Sequence, residues 1–392
     1  MQAPPETPAD APPEARSALG HVVAAFVVSR LIVAVALVFV SAGLNHQLGA
    51  GQLQGWDGGW YAHIADHGYG YTERVDEADV DTDVVKTAYP YFPGLPALLW
   101  AGAAAGVPKG LTAVIVSNLC LLLALGGVHV LVRRRYSRRA AQLAVWALAL
   151  FPGSVAFSMM YPESILLAAS VWAFVAVESR PSRRLRDLWA SLLAAVAALM
   201  RPNAIVVAVA LAVWTLGFGR ARAEERAREG SEAAPARRVL RALVVAGPAF
   251  AVFAAWLVYL WVAAGDPLVF VTAKSQWHEV TIVDTAVGFV TGTRAGQWMD
   301  LVLVLAGAAF VVARIRDLPG AWTLSWALLV LPSMLLGTVG LGRYTATSFV
   351  VAVAIGLTLA RWRPAAGTVL LSVSAAGLGL TAVQIFASHW VP

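Results

Sequence analysis

Charge and cysteine are scarce in this chain of 392 residues, of which 13% are charged and only Cys120 is a cysteine. A single cysteine excludes an intrachain disulfide, and its apolar surroundings predict a buried side chain. No glycine loop of the kind that cradles nucleotide phosphates precedes a lysine, which argues against an ATP-driven pump. The acidic run 76–83 does not complete a calcium loop, because Val84 and Pro90 occupy the positions that need Gly and Glu. We therefore expect neither a metal nor a cofactor.

Hydrophobic residues make up 59% of the chain, and the mean hydropathy is +0.69. Apolar runs of roughly 15 to 25 residues recur from Leu19 onwards, and about 20 apolar residues are needed to cross a bilayer as a helix. Only helices and closed barrels satisfy the backbone in lipid, and a barrel would show short alternating segments instead. The sequence thus predicts an all-α, polytopic integral membrane protein.

The net charge of +6 does not indicate nucleic-acid binding, because the basic residues lie in short connectors between apolar runs. This distribution follows the positive-inside rule and assigns those connectors to the cytoplasm. The clusters are Arg133–Arg139, Arg180–Arg186, Arg220–Arg241, Arg314–Arg316 and Arg361–Arg363. Residues 1–18, rich in Pro, Ala and acid, are expected to form a disordered cytoplasmic tail before a transmembrane domain over 19–392.

Placing the arginine clusters in the cytoplasm gives about eleven crossings, with external loops at 44–88 and 264–298. The stretch 89–107 is apolar, but counting it as a crossing would move the first arginine cluster outside. Because Pro90, Pro93 and Pro96 interrupt regular helix, we expect it to be re-entrant. The predicted crossings are 19–43, 111–132, 142–159, 162–179, 187–200, 204–219, 241–263, 299–316, 320–338, 346–360 and 366–387.

The first external loop contains the segment W-D-G-G-W-Y-A-H-I-A-D-H-G-Y, which runs from Trp56 to Tyr69. A carboxylate at a membrane surface can abstract a proton from a sugar hydroxyl, so Asp57 is a candidate general base. The alternative is an interfacial tryptophan anchor followed by an Asp-Gly turn. The apolar spacing predicts a short amphipathic surface helix that begins near Asp57. The motif's candidate substrate-binding residues are Trp56, Trp60, Tyr61, Asp66 and His67.

Further candidates lie at the ends of later apolar runs. Glu163, in Y-P-E-S, is a candidate for binding a sugar hydroxyl, or it caps the first helical turn. Arg201, in R-P-N, and Arg343 with Tyr344, in G-R-Y, are candidates for binding a lipid phosphate. The alternative for both arginines is snorkelling to the interface. The second external loop adds Gln276, Trp277 and His278 as candidate substrate-binding residues.

In order, W-D-x-x-W-Y-x-x-I-A-x-x-G-Y (56–69), Y-P-Y-F-P-G-L-P (89–96), Y-P-E-S (161–164) and R-P-N (201–203) resemble the PIG-V family. This family holds the second mannosyltransferase of GPI-anchor assembly and its bacterial relatives. The resemblance implies a GT-C-like helical bundle, a polyprenyl-phosphate mannose donor, Asp57 as the base and Glu163 at the acceptor site. Three residues depart from the family pattern: Tyr91, Pro162 and Pro202.

A lipid-phosphate sugar keeps its tail in the bilayer and its phosphate at the interface, so its enzyme needs cations there and an acid just above. The sequence therefore predicts an inverting mannosyltransferase with an external active site and no cofactor beyond the lipid-linked donor. Composition rich in Ala, Arg and Gly indicates a bacterial plasma-membrane protein with an unknown lipid or glycan acceptor, in contact with membrane lipid, and leaves room for an accessory subunit. Two alternatives stay open: a GT-C enzyme with another lipid-linked sugar, and a lipid or sugar transporter.

Overall fold

A computed structural model describes residues 13–43, 51–70, 72–75, 84–178, 183–217, 235–274, 287, 297–336 and 340–387. These residues are overwhelmingly helical, which confirms the all-α fold class. The candidates Gln276, Trp277 and His278 lie outside the described residues, as do the acidic run 76–83 and most of the basic linker 220–241. The first helix begins at Pro13, inside the predicted tail.

The described helices follow the apolar runs of the sequence closely. In chain order they are α1 (Pro13–Gly43), α2 (Asp57–His67), α3 (Gly94–Ala104), α4 (Lys109–Arg135), α5 (Arg138–Leu150), α6 (Glu163–Glu178), α7 (Arg183–Met200), α8 (Ile205–Leu216), α9 (Pro235–Ala264), α10 (Val269–Lys274), α11 (Gln297–Ala313), α12 (Gly320–Leu336), α13 (Leu341–Thr347), α14 (Phe349–Arg361) and α15 (Pro364–Phe386). Short 3-10 helices cover Gln52–Gln54, Gly68–Gly70, Pro152–Ser158 and Pro202–Ala204.

Four of the described helices are long and apolar enough to cross a membrane: most of α1, and α4, α9 and α15. Two bent helix pairs raise this number to six if each pair forms one span. The chain is thus a multi-pass membrane protein. The count of eleven crossings stays a prediction, because several other apolar helices have only 10 to 17 residues. The re-entry of 89–107 also stays a prediction, although α3 rises only about 16 Å at about 1.5 Å per residue and is too short to span alone.

Two predicted crossings, 142–159 and 346–360, are not straight helices. Helix α5 ends at Leu150, and the axis of the 3-10 helix that follows makes an angle of 72° with the axis of α5. Pro152 explains this break, because proline offers no amide donor to the preceding turn. Helices α13 and α14 are likewise bent by 72° around Ser348. The apolar run continues through the bend at Pro152, so hydropathy alone predicted one regular span there. The segment 341–348 is more polar, and the predicted crossing at 346–360 coincides with α14 except at its ends.

A short hairpin in the first loop was not predicted from the sequence. Strands β1 (Thr72–Val75) and β2 (Val84–Thr87) pair antiparallel, with Thr72 opposite Thr87 and Val75 opposite Val84. The hairpin follows α2 and leads into α3, so it belongs to the same side of the bundle as the W-D motif.

Two close backbone approaches seat the first loop on the helical bundle. A Cβ added at Gly58 would lie 3.2 Å from the Met160 Cβ, and the Met160 amide donates to the Leu53 carbonyl at 2.9 Å. A Cβ at Gly94 would lie 2.7 Å from the Leu199 carbonyl oxygen. Glycine is therefore needed where α2 and α3 meet the ends of α6 and α7, and these contacts place Asp57 beside the residues that begin α6.

Candidate active site

Four charged side chains from distant parts of the sequence meet in one place, which we call the charged cluster: Asp57, Glu163, Arg201 and Arg343. Arg343 Nη1 donates to Asp57 Oδ2 at 2.8 Å, and Arg343 Nε lies 3.5 Å from Glu163 Oε1. Arg201 forms a second ion pair with the same Glu163 oxygen. Two acids and two arginines are thus linked in a chain from Asp57 to Arg201.

Local sequence explains how each member reaches the cluster. Asp57 and Glu163 are the first residues of α2 and α6, where the helix dipole favours a carboxylate. Arg201 has extended backbone angles (φ −157°, ψ 154°), because the proline that follows disfavours helix at the preceding residue and ends α7. Arg343 projects from α13, a short helix that begins after Gly340.

Tyrosines and a tryptophan surround the Asp57 carboxylate. The Tyr91 hydroxyl donates to Asp57 Oδ1 at 3.2 Å. Trp60 stacks on the Tyr91 ring with a centroid distance of 5.5 Å, and Tyr61 meets the same ring edge-on at 5.1 Å. The Tyr69 hydroxyl donates to the Tyr91 carbonyl oxygen at 2.9 Å. The aromatic residues of the motif therefore fix the hydroxyl that faces the candidate base.

Aromatic rings also cover both arginines. The Arg201 guanidinium lies 4.6 Å from the centre of the Tyr344 ring, and its Nη2 donates to the Tyr344 hydroxyl at 2.9 Å. The Arg343 guanidinium lies 5.0 Å from the Tyr161 ring centre. Such cation–π contacts partly replace the water that a buried cation loses. Arg343 is only 8% exposed, so it does not snorkel to the surface.

The Asp57 carboxylate is held in its ionised form. Burial alone would raise its pKa, but the charges of Arg343 and Arg201 and the hydrogen bonds from Arg343 and Tyr91 outweigh burial and lower the pKa below the usual value of 3.8. The Asp57 side chain keeps 22% of its surface exposed, whereas the Glu163 side chain is fully covered. Of the two acids, Asp57 is the one that solvent reaches.

Several buried polar atoms near the cluster have no hydrogen-bond partner among the described residues. They are Glu163 Oε2, Ser164 Oγ and Asn203 Oδ1. An unpaired buried polar atom costs about 1–3 kcal/mol, and a polar ligand can remove that cost. These atoms mark the surroundings of Glu163 as a place where hydroxyl groups fit.

The remaining candidates of the W-D motif are not part of the cluster. Asp66 forms an ion pair with Lys109, and His67 stacks on His63 at 4.5 Å. Asp66 follows Asp57 by nine residues, which at about 100° per residue places it on the opposite face of α2. Trp56 is 39% exposed and precedes the helix. Substrate binding by these residues stays a prediction.

Tyr91 and Tyr161 contact the cluster, and Asp300 contacts the backbone next to Arg343; none of the three was a candidate site residue from the sequence. Tyr91 lies in a proline-rich block whose pattern indicates irregular backbone and says nothing about its hydroxyl. Asp300 accepts hydrogen bonds from the backbone of α13, next to Arg343. An acid in the first turn of an apolar helix usually complements the helix dipole, so no pattern in the sequence predicts this longer-range contact. Among the described residues, no group of three or more His, Cys, Asp or Glu could hold a metal ion.

Comparisons with known proteins bear on the fold. Residues 90–228, about a third of the chain, match the family model for dolichyl-phosphate-mannose-protein mannosyltransferase. ArnT from Cupriavidus metallidurans in the apo state is 17% identical with a TM-score of 0.50, and the match covers 92% of this chain and 75% of ArnT. No curated protein matches significantly.

An archaeal protein of greater length is also similar. The apo oligosaccharyltransferase of Archaeoglobus fulgidus is 13% identical with a TM-score of 0.49, and the match covers 95% of this chain and 56% of that protein. In its form tethered to an acceptor peptide it is 14% identical with a TM-score of 0.42, and the match covers 78% of this chain and 48% of that protein. The chain thus spans about half the length of the archaeal protein. From the helical architecture and the ArnT match, this chain has the fold of GT-C membrane glycosyltransferases.

Proposed function

We propose that this protein is an integral membrane glycosyltransferase that transfers mannose from a polyprenyl-phosphate mannose donor to a lipid-linked or glycan acceptor. Its active site is the charged cluster, with Asp57 as general base, and it faces the outside of the plasma membrane. The observation that carries the proposal is the meeting of an accessible carboxylate with two buried arginines. This combination is what a reaction between a sugar hydroxyl and a lipid phosphate ester requires.

The chemistry assigns one role to each end of the cluster. Asp57 takes the proton of the acceptor hydroxyl while that oxygen attacks the anomeric carbon of the donor. The bond between the anomeric carbon and the phosphate oxygen breaks, and the lipid phosphate leaves with the bonding electrons. Attack opposite to the leaving group inverts the configuration at the anomeric carbon. Arg201 and Arg343 stabilise the charge that develops on the leaving phosphate, the type of electrostatic effect that often dominates catalysis.

The charged cluster is electrically balanced before a donor phosphate arrives. The two acids and two arginines sum to zero, so each arginine is neutralised while no donor is bound. A donor phosphate competes with Asp57 for Arg343, and its arrival releases the carboxylate to act as a base. Glu163 Oε2 is covered and has no hydrogen-bond partner among the described residues, so it can accept a hydrogen bond from a sugar hydroxyl only if the arrival of the donor also opens the space beside it. The family model at 90–228, which covers Glu163 and Arg201, supports a polyprenyl-phosphate mannose donor.

Asp57→Asn is the direct test, because it nearly preserves shape while removing the base. We expect transfer from polyprenyl-phosphate mannose, measured with purified protein in lipid vesicles, to fall by about 100-fold or more, as expected for loss of a general base. The matched control is Asp317→Asn, which removes an acid that pairs with Arg314 and Arg361. This control should keep full activity.

Offering donors one at a time separates the alternatives. Transfer of glucose or arabinose but not mannose would replace the sugar and keep the site. Full turnover in Asp57→Asn would reject Asp57 as the base. Absence of transfer from every lipid-linked sugar, together with sugar or lipid movement across the vesicle membrane, would favour the transporter.

A further inference from the structure

We infer that Asp300 is a positioning residue that fixes the N-terminal end of α13 and thereby holds Arg343 in the charged cluster. The inference rests on the proposed function of that cluster and adds a residue to it. Asp300 lies in the first turn of α11 and is completely buried. Its hydrogen bonds to the Gly340 and Gly342 amides act on Arg343 through the backbone of α13.

The two oxygens of Asp300 hold two successive points of the same turn. Asp300 Oδ2 accepts from the Gly340 amide at 3.1 Å, and Oδ1 accepts from the Gly342 amide at 2.6 Å. Amides in the first turn of a helix have no partner within the helix. A carboxylate from another helix thus supplies the cap that the sequence around α13 lacks, since Gly340 has no side chain to do so.

Glycines make this contact possible. Gly340 has a φ of +75°, in the left-handed region that a side chain disfavours. On the other side of α13, a Cβ added at Gly153 would lie only 2.2 Å from the Gly342 carbonyl oxygen. The backbone of Gly342 therefore contacts both Asp300 and the 3-10 helix that contains Gly153.

That 3-10 helix is itself fastened to α1. Arg30 Nη1 donates to the Ser158 hydroxyl at 2.6 Å, and Arg30 Nη2 donates to the Ser154 carbonyl oxygen at 3.2 Å. The support behind Gly153 is thus held in place by a neighbouring helix. The 3-10 helix supports α13 through the close approach of Gly153 to Gly342, and the hydrogen bonds of Asp300 hold the first turn of α13.

Arg343 directly follows Gly342 in the chain. Its guanidinium must reach both Asp57 and Glu163, and a displacement of about 1 Å is enough to cost about 100-fold in catalysis. Tyr344, the next residue, contacts Arg201 through its hydroxyl and its ring. A shift of α13 thus disturbs both arginines at once.

The ionisation of Asp57 reports the position of Arg343, because Arg343 is its nearest cation. The titratable groups around Asp57 are Arg343, Arg201, Glu163, Tyr61, Tyr91 and Tyr161. If α13 moves, Arg343 stabilises the Asp57 carboxylate less, and the protonated acid persists to higher pH. A loss of general stability alone does not produce this change.

The test uses Asp300→Leu and Asp300→Asn in the full-length protein. Carbodiimide labelling of the Asp57 carboxyl, mapped by peptide mass spectrometry across pH, measures its protonation without any turnover. We expect labelling to extend to higher pH in Asp300→Leu and less so in Asp300→Asn, whose amide oxygen still accepts one bond. In the transfer assay, kcat/KM should fall about 100-fold and about 10-fold respectively.

Asp187→Asn is the matched control, since Asp187 is also buried and also accepts two hydrogen bonds, both from Arg241. It should lower stability and leave the Asp57 labelling profile unchanged. Gly340→Ala strains the same turn and keeps the Asp300 side chain. If neither Asp300 variant folds, this variant tests whether the position of α13 controls the labelling of Asp57. We expect it to shift Asp57 labelling in the same direction.

An unchanged Asp57 labelling profile in folded Asp300→Leu, or in Gly340→Ala where the Asp300 variants do not fold, would overturn the inference. A shifted profile in Asp300→Leu, together with no sugar transfer by the unsubstituted protein, would support the positioning role and reject the proposed function.

Discussion

The two ends of helix α7 carry buried ion pairs of different kinds. Near its start, Asp187 receives two hydrogen bonds of 2.8 Å from Arg241 of α9, one on each carboxylate oxygen. Beyond its end, Arg201 pairs with Glu163, where one oxygen serves two arginines and the other has no partner among the described residues. The 14 residues from Asp187 to Arg201 rise about 21 Å at about 1.5 Å per residue, so the two pairs are independent.

This difference separates a structural pair from a site. A buried pair contributes most when every donor and acceptor is used, because desolvation costs several kcal/mol per ion. The Asp187–Arg241 pair meets that condition and joins two helices. The charged cluster leaves acceptor capacity unused and exposes part of Asp57, an arrangement that is costly unless a ligand completes it. The incomplete pairing is therefore the feature on which the proposed binding site rests.

Removing both partners of each pair gives the largest contrast. Glu163→Gln with Arg201→Gln should reduce transfer by about 100- to 1,000-fold, the range for losing an electrostatic stabiliser. Asp187→Asn with Arg241→Gln should leave the transfer rate unchanged. The rates measured in vesicles decide between these outcomes, and equal losses in the two double variants would remove the distinction.

Single substitutions sharpen the comparison through stability. Arg201→Gln leaves the buried Glu163 with only the longer contact to Arg343, and breaking one side of a buried pair costs about 3–5 kcal/mol. Arg241→Gln should destabilise the protein by a similar amount. Thermal unfolding in detergent measures both, while the transfer assay should respond to Arg201→Gln alone. A normal rate in folded Arg201→Gln would return this arginine to a structural role.

Replacing Arg343 tests the electrostatics of Asp57. Arg343 lowers the pKa of Asp57. The carboxylate therefore stays ionised as the pH falls to the usual aspartate pKa, and its ion pair with Arg343 is lost only when the pH falls through the lowered pKa. Arg343→Gln should raise that pKa and move the acidic limb of the kcat/KM profile to higher pH, since this limb reports the base of the free enzyme. An unmoved limb would show that another group titrates.

Tyr91→Phe should have the smallest effect. It removes one hydrogen bond to the Asp57 carboxylate, and hydrogen bonds to charged groups contribute about 1.5–3 kcal/mol, so we expect roughly a tenfold loss of kcat/KM. Tyr136→Phe is its counterpart, since the Tyr136 hydroxyl donates to the Asp317 carbonyl oxygen at 2.7 Å. That variant should transfer at the normal rate, and matching losses would contradict the assignment of Tyr91.

The sequence predicted the chemistry of three cluster members better than their geometry. Asp57, Glu163 and Arg201 lie in short polar motifs at the ends of apolar runs. A charged side chain there costs free energy in lipid, so its presence indicates a functional role. Arg343 was found only as an isolated cation between two predicted spans, although it lies inside a helix. Its partners were not predictable, because residues 57 and 343 meet only through the packing of α2 and α13 against the start of α6.

The lengths of the long helices were predictable from the sequence, but the bends between helices were not. Long uninterrupted runs predicted α1, α4, α9 and α15 closely, because hydrophobic length is a direct requirement of the bilayer. The bend near Pro152 was missed, since apolar residues continue on both sides, and the bend near Ser348 was missed because the polar segment before it was read as a connector and not as helix α13. The role of Asp300 was missed because it depends on two glycine amides some 40 residues later in the chain.

A structure of the protein with a non-reacting polyprenyl-phosphate mannose analogue tests the central claim most directly. The account predicts phosphate oxygens about 3 Å from the guanidinium groups of Arg201 and Arg343, with the Asp57 carboxylate released from Arg343 and turned towards the anomeric carbon. A lipid phosphate bound elsewhere, with the Asp57–Arg343 pair intact, would contradict it.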